Sequence, residues 1–152
     1  MKESSFFKTN DRLVNLHNVS NINFLNNSNR VVFNLNYHIE LSTKPGTKLI
    51  SDYVYLDGRN SEDYDFIVTN IINNEFIQEN FLLHPNGYIN INEISSVKFS
   101  DKKLRVIFNL SHPITFIDEF HFKRITSEFV YVDFDEVSEY KEFVKRVKDR
   151  LG

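Results

Sequence analysis

The 152-residue chain contains no cysteine, alanine or tryptophan, and only four glycines and three prolines. The missing cysteine excludes disulfide frameworks, thiolate zinc sites and cysteine nucleophiles together. So few glycines leave no material for a phosphate-cradling loop, and neither G-x-S-x-G, H-E-x-x-H nor a D-x-D-x-D-G calcium loop occurs. No apolar run is long enough to cross a bilayer, and residues 1–10 lack the apolar core of a signal peptide. A cytoplasmic location without membrane contact is the expectation. The missing alanine has another origin. Alanine is the best helix former and folding does not select against it; beside 19 Asn and 15 Phe, its absence reads as the codon bias of an AT-rich genome. A lone Asn therefore carries little functional weight here.

What remains is ample for a folded domain. Hydrophobic residues make up 41% and aromatic residues 14%, and 18 Lys plus Arg stand against 21 Asp plus Glu, giving a net charge of −3. That balance is neither that of a disordered chain nor that of a strongly basic polyanion binder.

The chain is also self-similar. Residues 14–41 align without gaps on residues 89–116, at an offset of 75. Arg30-Val31-Val32-Phe33-Asn34-Leu35 reads against Arg105-Val106-Ile107-Phe108-Asn109-Leu110. After a one-residue shift, Ser51-Asp52-Tyr53-Val54-Tyr55-Leu56-Asp57 reads against Ser127-Glu128-Phe129-Val130-Tyr131-Val132-Asp133. The pattern predicts a first unit over 12–73, a connector over 74–87 and a second unit over 88–151.

Both units read alike. Alternating apolar positions place strands at 14–16, 22–24, 31–41 and 48–56, and again at 88–92, 95–99, 105–116 and 123–134. Each set is followed by a helix. In the first, Ser61 is a plausible N-cap and Tyr64, Ile67, Val68, Ile71 and Ile72 share a face. In the second, Asp135 or Ser138 opens the helix and Tyr140, Phe143, Val144, Val147 and Leu151 share the stripe. Pro113 marks a bulge or an edge, the turn at 44–46 suits a hairpin, and the connector adds a short helix over 76–81. The expected fold is α+β: two ββββα repeats with antiparallel sheets and one helix each, packed about a pseudo-twofold axis because one sheet and one helix cannot cover both sheet faces.

Catalytic chemistry has little to stand on, and neither cofactor nor metal is expected. The five histidines, at positions 17, 38, 84, 112 and 121, lack the convergent spacing of a ligand set. Asp57 and Asp133 recur before each helix, where turn and capping chemistry explain a carboxylate better than acid–base catalysis does. More informative is the fourth strand of each unit. Opposite Val54 and Leu56 it carries Tyr53 and Tyr55, and opposite Val130 and Val132 it carries Phe129 and Tyr131. The commoner fate of such rings is burial on both sides by the partner unit. The alternative is a platform on which bases stack while Arg or Lys meets the phosphates. Candidate cations are Arg30 and Arg105, which open the long strands, and Lys48, Lys123 and Arg124, with Lys98, Lys102 and Lys103.

A tandem of ββββα units with aromatic-bearing sheets resembles the Pur-alpha repeat and the related Whirly-type proteins, over about residues 13–151. The resemblance implies binding of single-stranded DNA or RNA on the sheet surfaces, and it carries over no catalytic residue. A competing expectation is a non-enzymatic adaptor that pairs a sheet edge or aromatic patch with another protein, or with a second copy of itself. A basic rim around the four rings favours nucleic acid; a neutral or acidic rim favours a protein partner.

Overall fold

The computed structural model describes residues 5–9, 12–44, 47–118 and 123–152, with the side chains of 37–52 and 114–126 excepted. The architecture is α+β with antiparallel sheets. In chain order it runs β1 (Phe6–Lys8), β2 (Leu13–Asn15), β3 (Val19–Leu25), β4 (Arg30–Lys44), β5 (Thr47–Asp57), α1 (Ser61–Ile72) and α2 (Glu75–Asn80). The second half continues with β6 (Phe81–His84), β7 (Gly87–Asn90), β8 (Ile94–Ser100), β9 (Arg105–Asp118), β10 (Lys123–Asp133) and α3 (Val137–Leu151). Among the described residues no helix is long and apolar enough to cross a membrane.

Both faces of β4 are covered from Val31 to Leu35, Val32 and Asn34 being as buried as their neighbours. Val31, Phe33 and Leu35 of β4 turn inward, and Tyr64 and Ile71 of α1 close over them in a first core. Val106, Phe108 and Leu110 of β9 do the same beneath Tyr140, Phe143 and Val147 of α3. Two helix starts differ from expectation. The cap of α1 is Asn60 rather than Ser61, its Oδ1 accepting the Asp63 N–H at 2.9 Å. α3 follows Glu136 with no side-chain cap, so neither Asp135 nor Ser138 serves, and its stability rests on its packed face.

Strand pairing crosses the two halves. The five-stranded sheet has the order β5-β4-β3-β7-β6, so β7 of the second half pairs with β3 of the first; β10-β9-β8 and β1-β2 form the other sheets. The segment 74–87, expected as a connector with one short helix, contains α2 and also β6. The β6–β7 hairpin lies between the cores, with Phe81 and Tyr88 in the first and Leu82 and Ile89 in the second. Its turn needs Gly87, whose φ is +148° and whose absent Cβ would collide with the Ile22 carbonyl.

Many local details recur 75 or 76 residues apart. The register of β3 on β4 slips at Ser20, and that of β8 on β9 at Ser95. The long hairpins each bulge, β4 between Asn34 and Ile39 and β9 between Asn109 and Ile114, where Pro113 stands as expected. Asn29 and Leu104 are both left-handed, with φ of 54° and 52°. The Tyr64 hydroxyl donates to Asn26 Oδ1 at 2.5 Å, and that of Tyr140 to Asp101 Oδ1 at 2.7 Å. Asn15 and Asn90 each accept a backbone N–H two residues on, at 3.1 and 3.0 Å. Even β1 on β2 and β6 on β7 keep one register: Phe6 opposes Asn15 as Phe81 opposes Asn90.

Candidate nucleic-acid interface

In β4 and β5 the directly opposed pairs are Arg30 with Asp57, Val32 with Tyr55 and Asn34 with Tyr53. Opposed residues share a sheet face, so Arg30, Asp57, Tyr55 and Tyr53 lie together on the side away from Val31 and Phe33. The register of β9 on β10 builds the same set, pairing Arg105 with Asp133, Ile107 with Tyr131 and Asn109 with Phe129.

The geometry is nearly identical in both. Arg30 grips Asp57 through Nε at 2.6 Å and Nη2 at 3.2 Å, and its guanidinium lies 4.2 Å over the Tyr55 ring. Arg105 grips Asp133 at 2.5 and 2.9 Å and lies 4.2 Å over Tyr131. The next ring continues each ladder: Tyr53 stands 6.0 Å from Tyr55 at 29°, and Phe129 stands 6.1 Å from Tyr131 at 34°. Planar guanidinium on aromatic face, fixed from behind by a two-pronged carboxylate, gives a rigid stack.

Burial by the partner unit, the expected fate of these rings, is not what is found. Tyr55, Phe129 and Tyr131 are 41%, 45% and 48% exposed, and Tyr53 is half-buried. The expected role of Asp57 and Asp133 in capping is also replaced: each carboxylate is the partner of an arginine. The hydrogen bond donated by Arg105 holds the Asp133 carboxyl below its ordinary range, and the bonds that Arg30 and Arg105 donate to Asp57 and Asp133 hold both guanidinium groups above theirs. A sequence signal for this existed, because the Arg–Asp pair recurs in the two self-similar segments.

The two faces differ at their rims. In the three-stranded sheet Lys98 opposes Ile107, which opposes Tyr131, so a lysine and the exposed ring share one row. Lys102 and Lys103 are exposed in the adjoining turn, and Lys103 is near enough to help lower the Asp133 pKa. At the corresponding positions the five-stranded sheet has Asn23, Asn27 and Ser28. Lys48, Lys123 and Arg124 sit on β5 and β10 in register with Ser42, Asp118 and Ile117; their side chains lie outside the described residues, as does that of His38.

Glu93 is buried, accepts from Asn36 Nδ2 at 2.8 Å and meets His112 Nδ1 at 2.9 Å. His84 is buried too, and burial pulls its pKa down to about 4. Its Nδ1 accepts the Asn86 N–H at 3.1 Å, so the neutral ring carries its proton on Nε2. Scanned against protein-family models, curated proteins and solved structures, the chain finds no match.

Proposed function

We propose that this protein binds single-stranded DNA or RNA, without catalysis, on two aromatic ladders carried by a duplicated ββββα unit of the Pur-alpha and Whirly type. The observation that carries the reading is the exposure of Phe129 and Tyr131 on a sheet face whose rim holds Lys98, Lys102 and Lys103. A ring face accepts any base, and stacking on it contributes about 1–3 kcal/mol per base. Nearby ammonium groups supply the phosphate contacts and counterion release that a protein of net charge −3 lacks on average. The duplication is supported by the bulges, left-handed residues and tyrosine hydrogen bonds that recur at one spacing.

A second reading, an adaptor for another protein, draws on the five-stranded sheet. There Arg30 is balanced by Asp57 and Asn23 replaces the rim lysine, so exposed Tyr55 has a near-neutral surround. The experiment that separates the readings is fluorescence anisotropy with labelled single-stranded oligonucleotides. Tyr131→Ala is expected to weaken binding by about 1–3 kcal/mol, and Tyr55→Ala by clearly less, with circular dichroism unchanged in both. Micromolar protein that binds no oligonucleotide sinks the first reading.

A further inference from the structure

β3 and β8 hold the same place in their sheets. Ile22 opposes Phe33 and Phe24 opposes Val31; 75 residues on, Val97 opposes Phe108 and Phe99 opposes Val106. Backbone groups of alternate residues point to opposite sides of a strand, so each of the two has one side for its long neighbour and one for a further strand. On β3 that second side is taken: β7 pairs with Asn21, Ile22 and Asn23, and the Phe24 N–H donates to the Asn86 carbonyl at 2.9 Å. On β8 it is open. Among the described residues β8 pairs with β9 alone and ends the three-stranded sheet. Burial shows the contrast: Ser20, Asn21 and Ile22 are covered, whereas Ser95, Ser96 and Lys98 are exposed and Val97 is half-buried.

The hairpins of the chain do not close this edge. β7 belongs to β3, and β2, its counterpart, pairs with β1 in a sheet of two. One position stands against the equivalent docking. Gly87 comes so close to Ile22 that a Cβ there would collide with the Ile22 carbonyl, and the corresponding residue ahead of β2 is Arg12. A β2 laid on β8 as β7 lies on β3 would drive that Cβ into the Val97 carbonyl, whether it came from this copy or another. The slip at Ser95 is no obstacle to pairing, since β3 has the same slip at Ser20 and is paired.

An open edge is a template for another strand. We infer that β8 pairs with β8 of a second copy, antiparallel about a twofold axis through Val97. Ser96-Val97-Lys98 is self-complementary in that register: Val97 meets the partner's Val97, and Lys98 meets the partner's Ser96. Lys98, the one charge on the strand, would oppose pairing only if it met its own copy. These three residues are the counterparts of the three that β3 gives to β7. A twofold contact closes on itself, so the product is a dimer. Directly opposed residues share a face, so two three-stranded sheets become one of six with the Phe129 and Tyr131 ladders of both copies on the same side. The pairing needs no nucleic acid.

Sedimentation equilibrium of the full chain over a range of concentrations tests it, with hydrogen exchange at the Val97 and Phe99 amides as the local readout. Reversible association to a dimer and no further is expected, with both amides gaining protection as concentration rises. Ser96→Glu, at an exposed position, sets a carboxylate opposite the partner's Lys98 twice per dimer and tightens it by about fivefold; Ser96→Lys sets lysine opposite lysine and weakens it by about fivefold. Both variants lose the hydrogen bond that Asn109 Nδ2 donates to Ser96 Oγ at 3.0 Å, so damage to the strand would move them in the same direction. A monomer at every concentration overturns the inference and leaves the edge to a different polypeptide. A dimer that the two substitutions move alike or not at all is formed by another surface, and overturns it too.

Discussion

Arg105 and Tyr131 hold each other in place: the carboxylate of Asp133 fixes the guanidinium, and the guanidinium covers part of the ring. Such a stack loses little side-chain freedom when a base arrives, since the ring is already ordered. A sequence reading names these residues but does not decide their exposure, because a strand with rings on one face and Val on the other fits a doubly buried position as well as a solvent-facing one. His84 is a residue whose effect lies in stability instead. Its folded pKa, held down to about 4 by burial, lies below the ordinary histidine value of 6.5. The folded state therefore binds fewer protons between those values. The stability is fully present above about pH 6.5 and is lost as pH falls toward 4, by about 3 kcal/mol. Urea melts across this range are expected to show the loss in the native chain and a flatter profile in His84→Asn; parallel profiles would remove His84 as the cause.

Among the strands and helices, the β3–β7 seam matters most, because it joins the halves of the chain into one sheet. Most elements are legible in the sequence: the period-two run from Arg30 and the helical stripe through Tyr140, Phe143 and Val147 leave one reading each. β6 is not legible. Its four residues follow directly on α2, and Phe81-Leu82-Leu83 fits the end of a helix as well as a strand. Nor is the order β5-β4-β3-β7-β6 legible, since alternation specifies a face and says nothing about a distant neighbour. Gly87 offers the sharpest test of the seam. Gly87→Ala would place a methyl group against the Ile22 carbonyl at a φ that L-residues avoid. A loss of about 2–4 kcal/mol in chemical denaturation is expected, and an unchanged midpoint would show that the hairpin does not hold the sheet together.

For the molecule as a whole, the proposed duplication differs from two beads on a string. The first core takes Ile77, Phe81 and Tyr88 from beyond the first helix, so residues 1–73 alone leave apolar surface and the β3 edge uncovered. That fragment is expected to unfold without cooperativity or to associate, as read by thermal melts and size-exclusion chromatography; a monomer with a sharp melt would contradict the shared core. The same unequal sharing bears on function. One sheet presents rings with lysines, the other rings with Asn and Ser, so binding is expected to centre on Phe129 and Tyr131 rather than to divide equally. The most direct measurement of that claim is the affinity for a single-stranded oligonucleotide as a function of salt. With Lys98, Lys102 and Lys103 on phosphates, log K should fall against log salt with a slope of about −2, and Lys98→Ala should make it shallower. Absence of binding, or binding indifferent to salt, would contradict it.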